Sequence, residues 1–194
     1  MDVNSISEPD DKTILMIAID NSHMSCIHFL LSKGVNIEQT NSKEETALMI
    51  AIQNNLIDIV KLLVKRGADV NFKTPTTGYT PLMEAAKTGR SKIVKFLLKR
   101  GAETSAIENS NSKNSNGWTA LMYAASNGRT PMVNFLVNEG SEINKKNNKD
   151  GKTSLMLAAE QGHVKTIEKL LSKGADIKER FKKAVTRRTV VILF

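Results

Sequence analysis

The sequence predicts an all-α fold, a solenoid of stacked helix-turn-helix repeats with β-hairpin-like finger loops between them, and three observations carry the prediction. The dipeptide Leu-Met stands two residues after a threonine five times, after Thr13, Thr46, Thr80, Thr119 and Thr153, and each threonine lies 21 residues before a glycine, Gly34, Gly67, Gly101, Gly140 or Gly174. Threonine-to-threonine spacings of 33, 34, 39 and 34 fall in the range of stacked helical repeats. Inside each unit the apolar residues keep register: Ala five after the threonine, a β-branched aliphatic 14 after it and Leu 17 after it. Two short amphipathic helices fit that spacing.

Each unit reads the same way in turn. The first runs from Thr13, with Leu15, Met16 and Ala18 on one helix, a reversal at Ser22, then Ile27 and Leu30 on a second helix ending at Gly34. The second sets Leu48, Met49 and Ala51 before Asn55, then Val60 and Leu63. In the third, Leu82, Met83 and Ala85 precede Gly89, and Val94 and Leu97 follow. The fourth uses Leu121, Met122 and Ala124, Gly128, Val133 and Leu136; the fifth uses Leu155, Met156 and Ala158, Gly162, Ile167 and Leu170. Small Ala positions let one helix approach its neighbour, Leu and Val supply bulk, and the central breaker lets the chain reverse. The Gly101–Thr119 connector is the longest and contains the polar run 109–116, expected as a mobile finger tip because such composition cannot bury itself. The domain plan is an acidic tail over 1–11, a repeat domain over 12–177, and a basic then apolar tail or degenerate cap over 178–194.

These units resemble the ankyrin repeat family, whose pattern is Thr-Pro-Leu-His-x-Ala-Ala, then Gly-His, Ile-Val, Leu-Leu and Gly-Ala-Asp-Val-Asn. Thr80-Pro81-Leu82, Gly67-Ala68-Asp69-Val70-Asn71, Gly162-His163 and Gly174-Ala175-Asp176 carry the resemblance, which spans about Thr13 to Ile177. The departure is Met in place of His in every Thr-x-Leu-His block. In the family that His helps hold the loop, so the resemblance implies greater reliance on Thr and apolar contact here, with lower loop rigidity expected from adaptable Met.

At 194 residues the chain has room for one sizeable fold, and no apolar run is longer than Ile14–Ile19, far shorter than a membrane span. Residues 1–11 lack the basic start and apolar stretch of a secretory signal, so the expected location is cytoplasmic, or nuclear. The single cysteine, Cys26, suits a reducing compartment; it occupies the row of Ile59, Ile93 and Met132, expected to face the core, although His23 lies three residues earlier. Net charge is +8, of which +5 lies in residues 178–194. Lys65, Arg66, Lys99, Arg100 and Lys173 fall at second-helix ends, where cations complement the helix dipole.

Nothing argues for catalysis or a cofactor. Gly151-Lys152-Thr153 imitates the end of a phosphate loop, but Lys146 stands where the first glycine belongs. His23 and His28 are five apart, off the three or four that one helical face requires for a metal pair, and His23 and His163 take the Gly-His place, where a structural role is expected.

The resemblance places a partner surface on the concave side, at the finger tips and exposed first-helix positions. By register these are the residues before each threonine (Lys12, Glu45, Tyr79, Trp118, Lys152) and those seven and eight after it, including Asp20, Gln53, Asn54, Lys87, Ser126, Asn127 and Glu160. Three lysines cancel three acids along this strip, and Tyr79 and Trp118 sit at equivalent places, with Tyr123 and Glu84 beside them. A neutral strip with central aromatics suits a protein partner. The expected function is a non-catalytic, monomeric protein-binding scaffold or adaptor; the alternative is attachment of the basic tail to nucleic acid or anionic lipid. The N-terminal face, Ile14–Ile19, is expected to be poorly covered, so that Ile19 contributes less than a central residue.

Overall fold

The computed structural model describes the backbone of residues 6–7 and residues 11–106 and 117–179 in full. The polar run 109–116, most of the acidic tail, and residues 180–194 of the basic tail lie outside the described residues. Among the described residues ten helices form five pairs: α1 (Ile14–Asp20) with α2 (Met24–Ser32), α3 (Ala47–Gln53) with α4 (Ile57–Lys65), α5 (Pro81–Thr88) with α6 (Ser91–Lys99), α7 (Ala120–Ser126) with α8 (Thr130–Asn138), and α9 (Ser154–Glu160) with α10 (Val164–Ser172). The first helices α1, α3, α5, α7 and α9 pack in one continuous row. Before them, β1 (Ile6–Ser7) pairs antiparallel with β2 (Lys12–Thr13), so the chain enters the first repeat through a short hairpin.

The recurring threonine is the N-cap of every first helix. Thr13, Thr46, Thr80, Thr119 and Thr153 are extended, and each hydroxyl accepts from the amide of the Met three residues on, at 3.3–3.4 Å. That bond satisfies one of the orphan amides of a helix start. Met16, Met49, Met83 and Met122 are buried, so the residue replacing His supplies both this amide and apolar bulk.

The recurring glycine ends every second helix. Gly34, Gly67, Gly101, Gly140 and Gly174 have positive φ, and the next residue's amide returns to the carbonyl of the register leucine: Val35 to Leu30, Ala68 to Leu63, Ala102 to Leu97, Ser141 to Leu136 and Ala175 to Leu170. This is the Schellman stop, in which a left-handed residue lets two amides satisfy terminal carbonyls.

The reversals lie where the breakers stand. Ser22 and Asn55 adopt φ 53° and 59°, while glycine serves at Gly89, Gly128 and Gly162. Gly128 has a second constraint: a Cβ there would lie 2.8 Å from His163 Nδ1, whereas one on Gly162 would meet nothing within 4 Å. Gly128→Ala is therefore expected to lower the melting temperature more than Gly162→Ala. Both carry the left-handed penalty of about 1–2 kcal/mol, but only the former displaces the imidazole whose Nε2 bonds the Ser126 carbonyl at 3.0 Å. Equal melting temperatures would show that the ring yields without loss.

Adjacent repeats are joined by two polar ladders. Residues at the starts of second helices reach back to the end of the preceding first helix: Arg90 donates to the Gln53 carbonyl at 3.0 Å, Arg129 to the Lys87 carbonyl at 3.5 Å, and His163 bonds that of Ser126. On the other side, Glu38 accepts from the Asp69 amide, Asn71 from Glu103 and Asn144 from Asp176, each at 2.9 Å. Burial raises the Glu38 pKa, partly opposed by the hydrogen bond from the Asp69 amide, while the Asp69 charge adds to the rise.

Two expectations about the first repeat need correction. Cys26 is exposed, not in the core. Its row faces the preceding repeat, as Thr166 shows by sharing a 2.7 Å hydroxyl bond with Thr130, and among the described residues no repeat stands before α2. Ile19 is completely buried; the uncovered residues are Ile14, Ile17, Met24 and Phe29.

Candidate functional site

The finger and the first helix of a repeat are clipped together by one recurring pair, between the residue before the capping threonine and the residue seven after it. Lys12 Nζ lies 2.6 Å from Asp20 Oδ2, Gln53 Nε2 donates to Glu45 Oε1 at 2.7 Å, and Lys152 Nζ lies 2.6 Å from Glu160 Oε1. In the third repeat Lys87 Nζ stands 5.9 Å from the centroid of the Tyr79 ring, within cation–π range. The charge balance of the strip therefore arises largely within single repeats. Partly exposed pairs of this kind stabilise little by themselves, but they fix finger on helix.

The fingers also close from within. Asn41 accepts from the Lys43 and Glu45 amides, and Asn147 from the Asp150 and Lys152 amides. Thr74 Oγ1 accepts from the Tyr79 amide at 2.9 Å and pairs with Thr77 Oγ1 at 2.6 Å. A backbone bond across each base completes the hairpin: Asn41 to Glu45, Thr74 to Tyr79 and Asn147 to Lys152. In the second finger Glu44 also receives Thr76, through its amide and its hydroxyl.

Three rings adjoin at the centre. Tyr123, only 8% exposed, lies between Tyr79 and Trp118, with centroid distances of 5.3 and 5.1 Å and interplanar angles of 84° and 64°. These are edge-to-face contacts, favoured by the ring quadrupole. Tyr79 and Trp118 are half-buried and Tyr123 supports both from beneath. The Tyr79 hydroxyl donates to Glu84 Oε2 at 3.0 Å, and Glu84 is 5% exposed.

Beside the rings opens a groove of about 420 Å³ between the second and third repeats, lined by Glu45, Gln53, Tyr79, Glu84 and Lys87 from the strip. Lys43, Met49, Thr74, Thr77 and Thr88 complete its walls. Sequence register does not single out Thr74 and Thr77; their signal is the run Thr74-Pro-Thr-Thr77 before the positive-φ Gly78. The other strip residues are elsewhere. Ser126 engages His163 through its carbonyl, Asn127 Nδ2 donates to the Tyr123 carbonyl at 2.9 Å, and Asn54 Nδ2 to Asp20 Oδ1 at 2.9 Å. Lys152 and Glu160 form a separate cluster with Asp150, 3.0 Å from Lys152.

That cluster gives a pH signature. For Asp150, burial pushes the carboxyl up, but hydrogen bonds with Asn147 and Lys152 and the Lys152 charge outweigh it and hold the group below its ordinary 3.8. For Lys152, burial opposes the charge, but its bonds to Glu160 and Asp150 outweigh that and raise it above 10.5. A lowered carboxyl stabilises above its ordinary pKa and loses the effect as pH falls through the folded value; a raised lysine stabilises below its ordinary pKa and loses it as pH rises through the folded one. The difference in melting temperature between the protein and Lys152→Met should therefore be full near neutrality and shrink below about pH 4. A difference unchanged at pH 3 would contradict the pairing.

Among the described residues no group of three or more His, Cys, Asp or Glu is placed to hold a metal ion, and no helix is long and apolar enough to cross a membrane. No curated protein matches the chain. A family model described as ankyrin repeats (3 copies) matches residues 15–108 and 105–180. Repeats of this kind generally mediate protein–protein interaction. With the capped helix pairs, the left-handed stops and the match running along most of its length, the chain belongs to the ankyrin repeat family.

Proposed function

We propose that the protein is a non-catalytic scaffold or adaptor, a monomer working in the cytoplasm or nucleus, that binds a partner protein through its concave side. The observation that carries this reading is the juxtaposition of the roughly 420 Å³ groove with the Tyr79–Tyr123–Trp118 cluster. A pocket beside half-buried aromatics offers apolar area at low entropic cost, and polar groups already held by neighbours lose little freedom on binding. Glu45 is fixed by Asn41 and Gln53, and Glu84 by Tyr79.

Cross-linking mass spectrometry of the native complex tests the surface. Amine cross-links to the partner from Lys43 and Lys87, which line the groove, are the expected result. Cross-links confined to Lys182 and Lys183 would instead place the contact on the basic tail and favour an acidic surface as the ligand.

A further inference from the structure

We infer that the groove between the second and third repeats receives a basic side chain, arginine or lysine, from the partner protein; the inference rests on reading the concave groove as the contact surface. Two carboxylates line it, and both are held by neutral donors. Glu45 takes the Asn41 and Gln53 amides, and among the described residues the Glu84 side chain takes only the Tyr79 hydroxyl, on Oε2. Among the described residues neither forms an ion pair, although Lys12, Lys61, Lys73, Lys145, Lys146 and Lys152 all do with other acids. Glu84 is more than nine-tenths buried and lines the groove, and its Oε1 accepts no hydrogen bond from a described residue. A carboxylate held out of bulk water gains most from a cation that reaches it.

The aromatic wall points the same way. Tyr79 shares its hydroxyl with Glu84 while its ring already carries a cation, Lys87 Nζ at 5.9 Å. Lys87 is exposed and on the same helix, so it can swing into solvent at little cost, whereas Glu84 is fixed. Lys87 is thus an internal stand-in: an incoming guanidinium or ammonium displaces it from the ring face and reaches the Glu84 carboxylate behind. Lys43, also exposed, can leave in the same manner. The net charge of +8 gives a basic partner no long-range attraction, so recognition rests on contact within the groove.

The test is a nuclear magnetic resonance titration of the full chain with three pentapeptides, acetyl-Gly-Gly-X-Gly-Gly-amide, where X is arginine, citrulline or glutamate. The arginine peptide should shift the amides of Thr77, Tyr79 and Glu84 with saturating, millimolar-range binding, and citrulline, which keeps the shape without the charge, should bind at least about tenfold more weakly. Glu84→Gln should weaken the arginine peptide similarly, and Lys87→Met should strengthen it by removing the competing cation. Should Glu84→Gln fail to fold, Glu45→Gln on the half-buried partner carboxylate takes its place. Groove shifts with the glutamate peptide, equal binding of citrulline, or weaker arginine binding in Lys87→Met each overturn the inference. If the arginine peptide leaves the groove unmoved while cross-links still fall on Lys43 and Lys87, the inference fails and the concave-face reading stands; cross-links confined to the tail sink that reading itself.

Discussion

Replacing Leu97 by alanine is expected to lower the free energy of unfolding by about 2–5 kcal/mol, the range for deleting a fully buried leucine and leaving a cavity. Leu97 is completely buried in the middle repeat. Its carbonyl accepts the Ala102 amide at the end of α6, so the side chain fills the core where the chain leaves the helix. In a repeat array each unit is stabilised by its neighbours, and a central defect weakens two interfaces. Ile19, also completely buried, belongs in the same range despite lying in the first repeat. Ile14, 45% exposed on the uncovered face, is the control, and Ile14→Ala should stay within about 0.5 kcal/mol. Urea unfolding followed by circular dichroism measures all three. A loss at Ile14 matching that at Leu97 would mean the first repeat is covered after all, and a small loss at Leu97 would break the account of the core.

Most of the fold is legible in the residues because its decisive signals are local. A threonine with its hydroxyl near the third following amide caps a helix, and a glycine ends one, so the start of each first helix and the end of each second helix follow from single-repeat chemistry. Even Ser22 and Asn55 are readable as reversals, since each stands where later repeats use glycine. What the residues do not reveal is the chemistry between repeats. Arg90, Arg129 and His163 reach carbonyls 37 to 42 positions back, and Glu38, Asn71 and Asn144 hold amides 31 or 32 positions on. Such bonds depend on how one repeat stacks on the next.

The exposure of Cys26 has the same origin: its row is buried only when another repeat precedes it, and position in the array overrides the pattern within the unit. The site divides likewise. Register brings Glu45, Gln53, Tyr79, Glu84 and Lys87 to one groove, but it could not show that Tyr123 lies beneath two rings, or that Ser126 and Asn127 engage their polar groups within the array.

The second large effect concerns binding. Tyr79→Ala removes a wall of the groove, the hydroxyl on Glu84 and one edge-to-face contact, while Trp118→Ala removes the other contact on Tyr123. If these rings anchor the partner, each truncation should weaken binding by about 2 kcal/mol or more. Helical signal should change little, because both rings are half-buried at finger bases and lie outside the helices. The most direct measurement is the partner's affinity, by calorimetry, for the protein, for Tyr79→Ala, for Trp118→Ala and for a form lacking residues 178–194, at low and moderate salt. The expected result is a loss in both aromatic variants, near-full affinity in the truncated form and weak dependence on salt. Full affinity in both aromatic variants, with binding abolished by the truncation and falling steeply with salt, would contradict it and transfer the function to the basic tail.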